Sequence, residues 1–278
     1  MYKFHISPFF PEKFFLLYIT HRFFIQQVLE KMAIFALFGG HGKVSLLFTK
    51  IASEAGHVVY NVVRDYVQNE DIEKVNGRTK VCSLEKASPL QIAELLKEIM
   101  PDIIVFAAGS GGKGGVERTK AVDYEGSVKV FDAMRIARIR RLIMVSAIDN
   151  RDMNQPPPPH YKEADVELSL KIHKAIGTYY HYKYIADQEL VRRSTDIDWT
   201  IVRPSGLTDE NSNGKIAIGK ISINSMISRE TVARAILLFA MDPQSKHLIA
   251  DITDGDIPIH KAISGFIIKG ESSYTYSV

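Results

Sequence analysis

Six short apolar runs alternate with stretches of helical spacing along most of this chain, and that alternation leaves few folds open. The runs are 33–38 (AIFALF), 57–65 (HVVYNVVRD), 79–84 (TKVCSL), 102–109 (DIIVFAAG), 141–147 (RLIMVSA) and 198–206 (DWTIVRPSG). Most are β-branched or bulky and apolar on both alternating sets, as a strand covered on both faces must be. Between them, 44–55, 88–100, 120–139 and 163–194 carry helical spacing, the last with a break expected near Gly177. Ser88 is placed to cap the second of these helices, and Pro89 suits its first turn. A strand-like 215–223, a helix over 229–241 and a strand over 247–254 complete the pattern. Strands alternating with helices require right-handed crossovers and a mostly parallel sheet. The expected fold is therefore α/β: a Rossmann-type, doubly wound sheet with helices on both faces. The last third of the chain is expected to form a small cap over the sheet's carboxyl edge, within a single domain spanning 32–278.

Residues 1–31 read differently. FFLLYIT is apolar, but His21 and Arg22 interrupt it well short of the ~20 residues that a membrane helix needs. This stretch has neither the uninterrupted core nor the cleavage site of a secretory signal. It is read as an extension outside the core, with Met32 as an alternative start. Its four basic and two acidic residues leave an organelle-targeting reading open. A net charge of +3, and the absence of basic runs interleaved with aromatics, argue against nucleic acid as a partner. The one dense basic run, RIARIRR (135–141), is expected to be a solvated helix end. Cys82 is the only cysteine, so neither an intramolecular disulfide nor a cysteine zinc site can form. That fits a reducing compartment, the cytoplasm or the nucleus. His160, His173 and His181 lack metal-ligand spacing and are expected in loops or solvent; no metal is assigned.

The first strand runs into GGHGKVS (39–45) and then a helix. Gly39 and Gly42 allow a tight turn and close approach of an anion to the main chain, and the helix start near Lys43 offers free N–H groups and a positive dipole end. That is the form of a diphosphate cradle, although Ser45 stands where a third glycine usually permits close helix–strand packing. The end of the second strand decides between dinucleotides. NAD sites usually place a carboxylate there for the ribose hydroxyls. Here the residue 22 positions after Gly42 is Arg64, whose guanidinium suits a 2′-phosphate. Lys43 could add charge at the same corner, and the alternation of the strand turns Asp65 away. NADP is expected in preference to NAD; a plain strand-end arginine is the competing reading.

The segments FGGHGKV, VVRD, VFAAGS, RLIMVSA, YKYIADQEL and DWTIVRPSGLTDE, in this order, resemble atypical short-chain dehydrogenase/reductases, most nearly the NmrA-like and biliverdin-reductase-B-like NAD(P)-binding branch. The resemblance spans about 32–267 and leaves the substrate open. It implies that Gly39, Gly40, His41, Gly42, Lys43 and Val44 hold the diphosphate and that Arg64 holds the 2′-phosphate. Ser83, where the family often has an aspartate, and Leu84 would flank the adenine, and Ala107, Ala108 and Gly109 would line the ribose. Val145, Lys183 and Pro204, Ser205, Gly206 and Leu207 would enclose the nicotinamide.

The same resemblance supplies a catalytic set of a serine, a tyrosine, and a lysine four residues on. The tyrosine carries the proton that accompanies hydride transfer, and the lysine lowers its pKa from ~10 and binds the ribose. Ser146, Tyr179 and Lys183 match, Tyr179 and Lys183 falling on one helix face. The gap of 33 residues from Ser146 to Tyr179, filled by a proline loop and extra helix, is longer than in many active members. Tyr180 or Tyr182 could face the cofactor instead, and aromatics at helical spacing also serve packing. GSGGKGG (109–115) is read as a flap beside the cleft or a plain connector, and PPPP as a stiff loop or an extended docking segment. Two functions stay open. One is an NADP-dependent oxidoreductase acting on a small carbonyl, quinone or flavin-like molecule. The other is a non-catalytic NADP(H) sensor that reports to a protein partner. Sugar-nucleotide epimerisation would need a larger substrate domain.

Overall fold

The computed structural model describes residues 32–111 and 114–273; the expectations for residues 1–31 fall outside them. The elements follow the alternation of the sequence. Strand β1 (Ile34–Phe38) leads to helix α1 (Lys43–Glu54), β2 (Val58–Val63), the short helix α2 (Asn69–Glu73) and β3 (Arg78–Val81). Then come α3 (Pro89–Ile99), β4 (Ile103–Phe106), α4 (Gly115–Thr119), a π-helical segment (Lys120–Glu125), α5 (Gly126–Ala137) and β5 (Arg141–Val145). The long helix α6 (Glu163–Val191) precedes β6 (Asp198–Pro204), β7 (Leu207–Thr208), β8 (Lys215–Ile218), β9 (Ile227–Ser228), α7 (Arg229–Met241), β10 (Leu248–Pro258) and α8 (Ile259–Lys269).

Eight strands form one sheet in the order β3-β2-β1-β4-β5-β6-β10-β8. All neighbours are parallel except β8, which runs antiparallel to β10. The order reverses between β1 and β4, which opens a crevice at their carboxyl ends. One face of the sheet buries Phe35, Leu37 and Val105 against α1, α7 and α8, through side chains such as Phe48, Phe239 and Phe266. The other face buries Phe38, Ile104 and Met144 against α3, α5 and α6, through Leu96, Phe131 and Leu190. Strands covered on both sides explain the unbroken apolar runs.

Helix α3 starts as its sequence predicts: Ser88 Oγ accepts from Gln91 N at 3.3 Å, and Ser88 N donates to Gln91 Oε1 at 2.9 Å. Helix α6 breaks at Ile176 (φ −134°, ψ 34°), beside the glycine expected to break it. Other expectations need correction. Strand β3 ends at Val81, so Ser83 and Leu84 lie in the following turn. The helix expected from Lys120 starts at Gly115 and passes through a π-turn. Helix α8 has no counterpart in the sequence reading. The basic run is only partly solvated: Arg141 turns inward and donates to Asp198 O, Thr200 Oγ1, Phe239 O and Ser245 Oγ. Among the described residues no helix is long and apolar enough to cross a membrane.

Candidate functional site

The loop after β1 is set by two steric requirements. Gly39 has φ +79°, and a Cβ there would lie 2.5 Å from Ala108 Cα. A Cβ on Gly40 would lie 2.6 Å from Asn61 Cβ. The main chain therefore passes between β2 and the end of β4 with no room for side chains. Asn61 fixes its height. Asn61 is fully buried in β2, and its Nδ2 donates to Gly40 O at 2.7 Å and to Thr49 Oγ1 at 2.8 Å. Gly40 N donates to Val62 O at 3.1 Å, and Gly42 N closes the turn on Gly39 O at 3.0 Å. Gly42 caps α1 without a side-chain acceptor, so the first-turn amides remain for a ligand.

Ser45 fits where the third glycine was expected. It is buried, its carbonyl accepts Thr49 Oγ1 at 2.9 Å, and its own Oγ has no hydrogen-bond partner among the described residues. An orphaned buried hydroxyl beside free helix amides, under a turn where Gly39 and Gly40 leave no room for side chains, fits a diphosphate.

This loop forms one wall of a cavity of about 680 Å³. Of the expected cofactor residues, Gly39, Gly40, His41, Gly42, Lys43, Arg64, Ser83, Leu84, Ala107, Ala108 and Gly109 line it. Gln68, Cys82, Arg118 and Arg229 line it too, although the sequence reading did not select them. Val44 packs toward the core instead. Arg64 is exposed at the end of β2, and no carboxylate among the described residues pairs with it. Asp65 is engaged locally, its Oδ1 accepting from Val67 N at 3.0 Å. His41 bridges outward to Asp71 Oδ2 at 2.9 Å and Gln68 Nε2 at 3.2 Å. That pattern suits an imidazole with its proton on Nε2 and ties the loop to α2. Lys43 does not join Arg64; its ammonium reaches Asp209.

The remaining expected residues lie farther along the same edge, where β5 and β6 follow β4. Val145 ends β5, and its carbonyl accepts Lys183 Nζ at 3.1 Å. Lys183 is buried and stands 3.6 Å from Asp123 Oδ1, within the π-helical segment. Asp123 also accepts Ser110 N at 2.9 Å. The π-turn thus sets a carboxylate against the lysine and the loop after β4, a placement common at functional sites. Ser205 Oγ donates to Thr253 Oγ1 at 2.9 Å, Gly206 sits against Met226, and Pro204 and Leu207 flank them.

Lys183 Nζ lies 5.9 Å from the centroid of the Tyr179 ring, so the two share one side of α6. The lysine was expected to lower the phenol's pKa. Burial instead pushes it up, and the Asp123 and Asp187 carboxylates add to the rise. Ser146 also differs from expectation. Its Oγ donates inward to Asp187 Oδ2 at 2.8 Å and accepts from Asn150 Nδ2 at 3.0 Å. Behind it lies an ionic cluster: Arg203, fully buried, reaches Asp187 Oδ2 at 3.2 Å and Asp251 Oδ1 at 3.9 Å. Two carboxylates share one guanidinium, and burial pushes Asp251 up to about 7 despite Arg203. His173, expected in a loop or in solvent, is nearly buried on α6. Its Nε2 meets Asp149 Oδ2 at 3.1 Å, and its ring lies 4.4 Å from that of Tyr180. Tyr180 is thereby committed to packing.

A parallel sheet that reverses order over a tight glycine turn, with a cationic strand end beside it, has the form of a dinucleotide-binding fold. The chain belongs to the NAD(P)H-binding family, whose model matches residues 39–243. It is 75% identical to UPF0659 protein C216.03 of Schizosaccharomyces pombe over 247 residues, covering 89% of this chain and all of that one. It is 31% identical to the uncharacterized sugar epimerase YhfK of Bacillus subtilis, covering 82% of this chain and 97% of the relative. The solved structure of a Bacillus halodurans protein described as an NAD-dependent epimerase/dehydratase superposes with a TM-score of 0.70 at 28% identity, covering 84% of this chain and 99% of that one.

Proposed function

We propose that this protein is an NADP-dependent oxidoreductase that reduces a small carbonyl, quinone or flavin-like acceptor. The observation that carries the cofactor choice is Arg64, unpaired among the described residues at the rim of the diphosphate cavity, with Asp65 occupied in the adjoining turn. A guanidinium there binds a 2′-phosphate and offers nothing to a pair of ribose hydroxyls in place of a carboxylate. When bound, reduced nicotinamide supplies the hydride. The chain's own residues do the rest. The first-turn amides of α1 and the glycine turn hold the diphosphate, and Lys183, anchored on Val145 O, binds the adjoining ribose. Tyr179 delivers the proton. An ordinary phenol is protonated at neutral pH, so Tyr179 has a proton to deliver as an acceptor oxygen is reduced.

Turnover of NADPH against a panel of carbonyls, quinones and flavins tests this reading. Tyr179→Phe is expected to lower kcat by about 100-fold or more, with dinucleotide affinity unchanged within about twofold. Absence of turnover with every acceptor, together with an unaltered Tyr179→Phe variant, would overturn it.

One observation favours a second reading. The Ser146 hydroxyl is committed to Asp187, so it has no proton to offer a substrate carbonyl. A dinucleotide sensor without turnover would need no such donor. That reading requires tight NADP binding without turnover, and a protein partner whose affinity differs between the oxidised and reduced forms.

A further inference from the structure

Lys43 and Arg229 both line the dinucleotide cavity, from the first residue of α1 and the first residue of α7. Neither faces it free. Asp209 Oδ2 takes Lys43 Nζ at 2.5 Å, and Asp209 Oδ1 takes Arg229 NH1 at 2.7 Å. One exposed carboxylate therefore spans two cations, and the group of three keeps one net positive charge. Asp209 directly follows β7, and β7 pairs with β9, whose last residue precedes Arg229. The short two-stranded sheet thus fixes carboxylate and guanidinium side by side. Arg229 is only 22% exposed, so its charge cannot relax fully into solvent. A diphosphate on the glycine turn carries two negative charges and more acceptor oxygens than Asp209 does.

We propose that Lys43 and Arg229 form a second clamp on the diphosphate, in addition to the α1 amides, and that Asp209 is a resident counter-ion which the diphosphate displaces. The proposal rests on the dinucleotide reading of the cavity. It separates two jobs: Arg64 chooses between NADP and NAD, whereas Arg229 grips what the two have in common.

Calorimetric titration of the full chain with NADP and with NAD tests it. Arg229→Gln is expected to weaken both ligands by about fivefold or more, and by similar factors. Asp209→Asn removes the competing charge and is expected to tighten both, about three- to tenfold, with a gain that shrinks as salt rises. An Arg229→Gln variant of unchanged affinity, or an Asp209→Asn variant that binds more weakly, would overturn the clamp while leaving the cavity's assignment intact. A wild-type chain that takes up neither dinucleotide would overturn the assignment itself.

Discussion

Gly39→Ala is expected to abolish dinucleotide binding, with no calorimetric signal at ligand concentrations about 100-fold above the wild-type Kd, and to lower stability by about 2–4 kcal/mol. Two costs combine. At φ +79° an L-residue is strained, by roughly 1–2 kcal/mol. The added Cβ would also sit 2.5 Å from Ala108 Cα and 2.6 Å from Ala108 N, which are main-chain atoms that cannot swing aside. The turn must lift off β4, which moves the amides that would receive the phosphates. Thermal unfolding and titration read the two losses separately. Near wild-type affinity in a folded Gly39→Ala variant would show that the turn does not hold the ligand.

Arg203→Met is expected to cost about 3–5 kcal/mol, the usual penalty for leaving buried charge uncompensated. Asp187 and Asp251 would then face each other's field without the guanidinium that offsets both. Its pH dependence has a definite sign. In the native state Asp251 keeps its proton up to about pH 7, whereas in the unfolded chain it loses it near the ordinary 3.8. The folded state binds more protons through that window, so this group's contribution is fully present below about pH 4 and is lost as pH rises through 7. Removing Arg203 pushes the native pKa higher still and extends the loss to more alkaline pH. Denaturant unfolding should therefore show the variant closest to wild type near pH 5 and farthest from it near pH 8. Adding Asp251→Asn should recover part of the loss at pH 8. Equal stability of Arg203→Met and wild type at pH 8 would mean that the guanidinium does not balance the pair.

The parts of this molecule that could be read from its sequence are those set by local rules. A buried parallel strand announces itself by unbroken apolar residues, so the order of β1 to β6 was legible, as was the glycine turn, where close approach excludes side chains. Arg64 was legible because its place is counted along the chain from that turn. What escaped depends on contacts between distant segments. Asn61 stands in the middle of VVYNVV as a single polar residue in a buried strand, a signal that some main-chain group needs it, but not which one. Arg203 in TIVRP is a charge in a covered strand and so demands a buried carboxylate. Only the packing of α6 on β6 identifies that carboxylate as Asp187, which in turn draws the Ser146 hydroxyl inward. Asp123 was hidden because a π-turn changes the register of a helix without changing its composition. Lys43 looked like a partner for Arg64, but the pairing of β7 with β9 brings Asp209 to it. Helix α8 follows β10 without a break, the strand ending at Pro258 and the helix starting at Ile259, so no loop signal separates the two.

In the proposed complex a dinucleotide bearing a 2′-phosphate lies across the carboxyl edge of the sheet, its adenosine end held by Arg64. Isothermal titration of the purified chain with NADPH and NADH, repeated on Arg64→Gln, measures this directly. The expected result is NADPH binding at least about tenfold tighter than NADH in the wild type, with the preference lost in the variant through weaker NADPH binding alone. No heat with either nucleotide, or a preference that survives in Arg64→Gln, would contradict it.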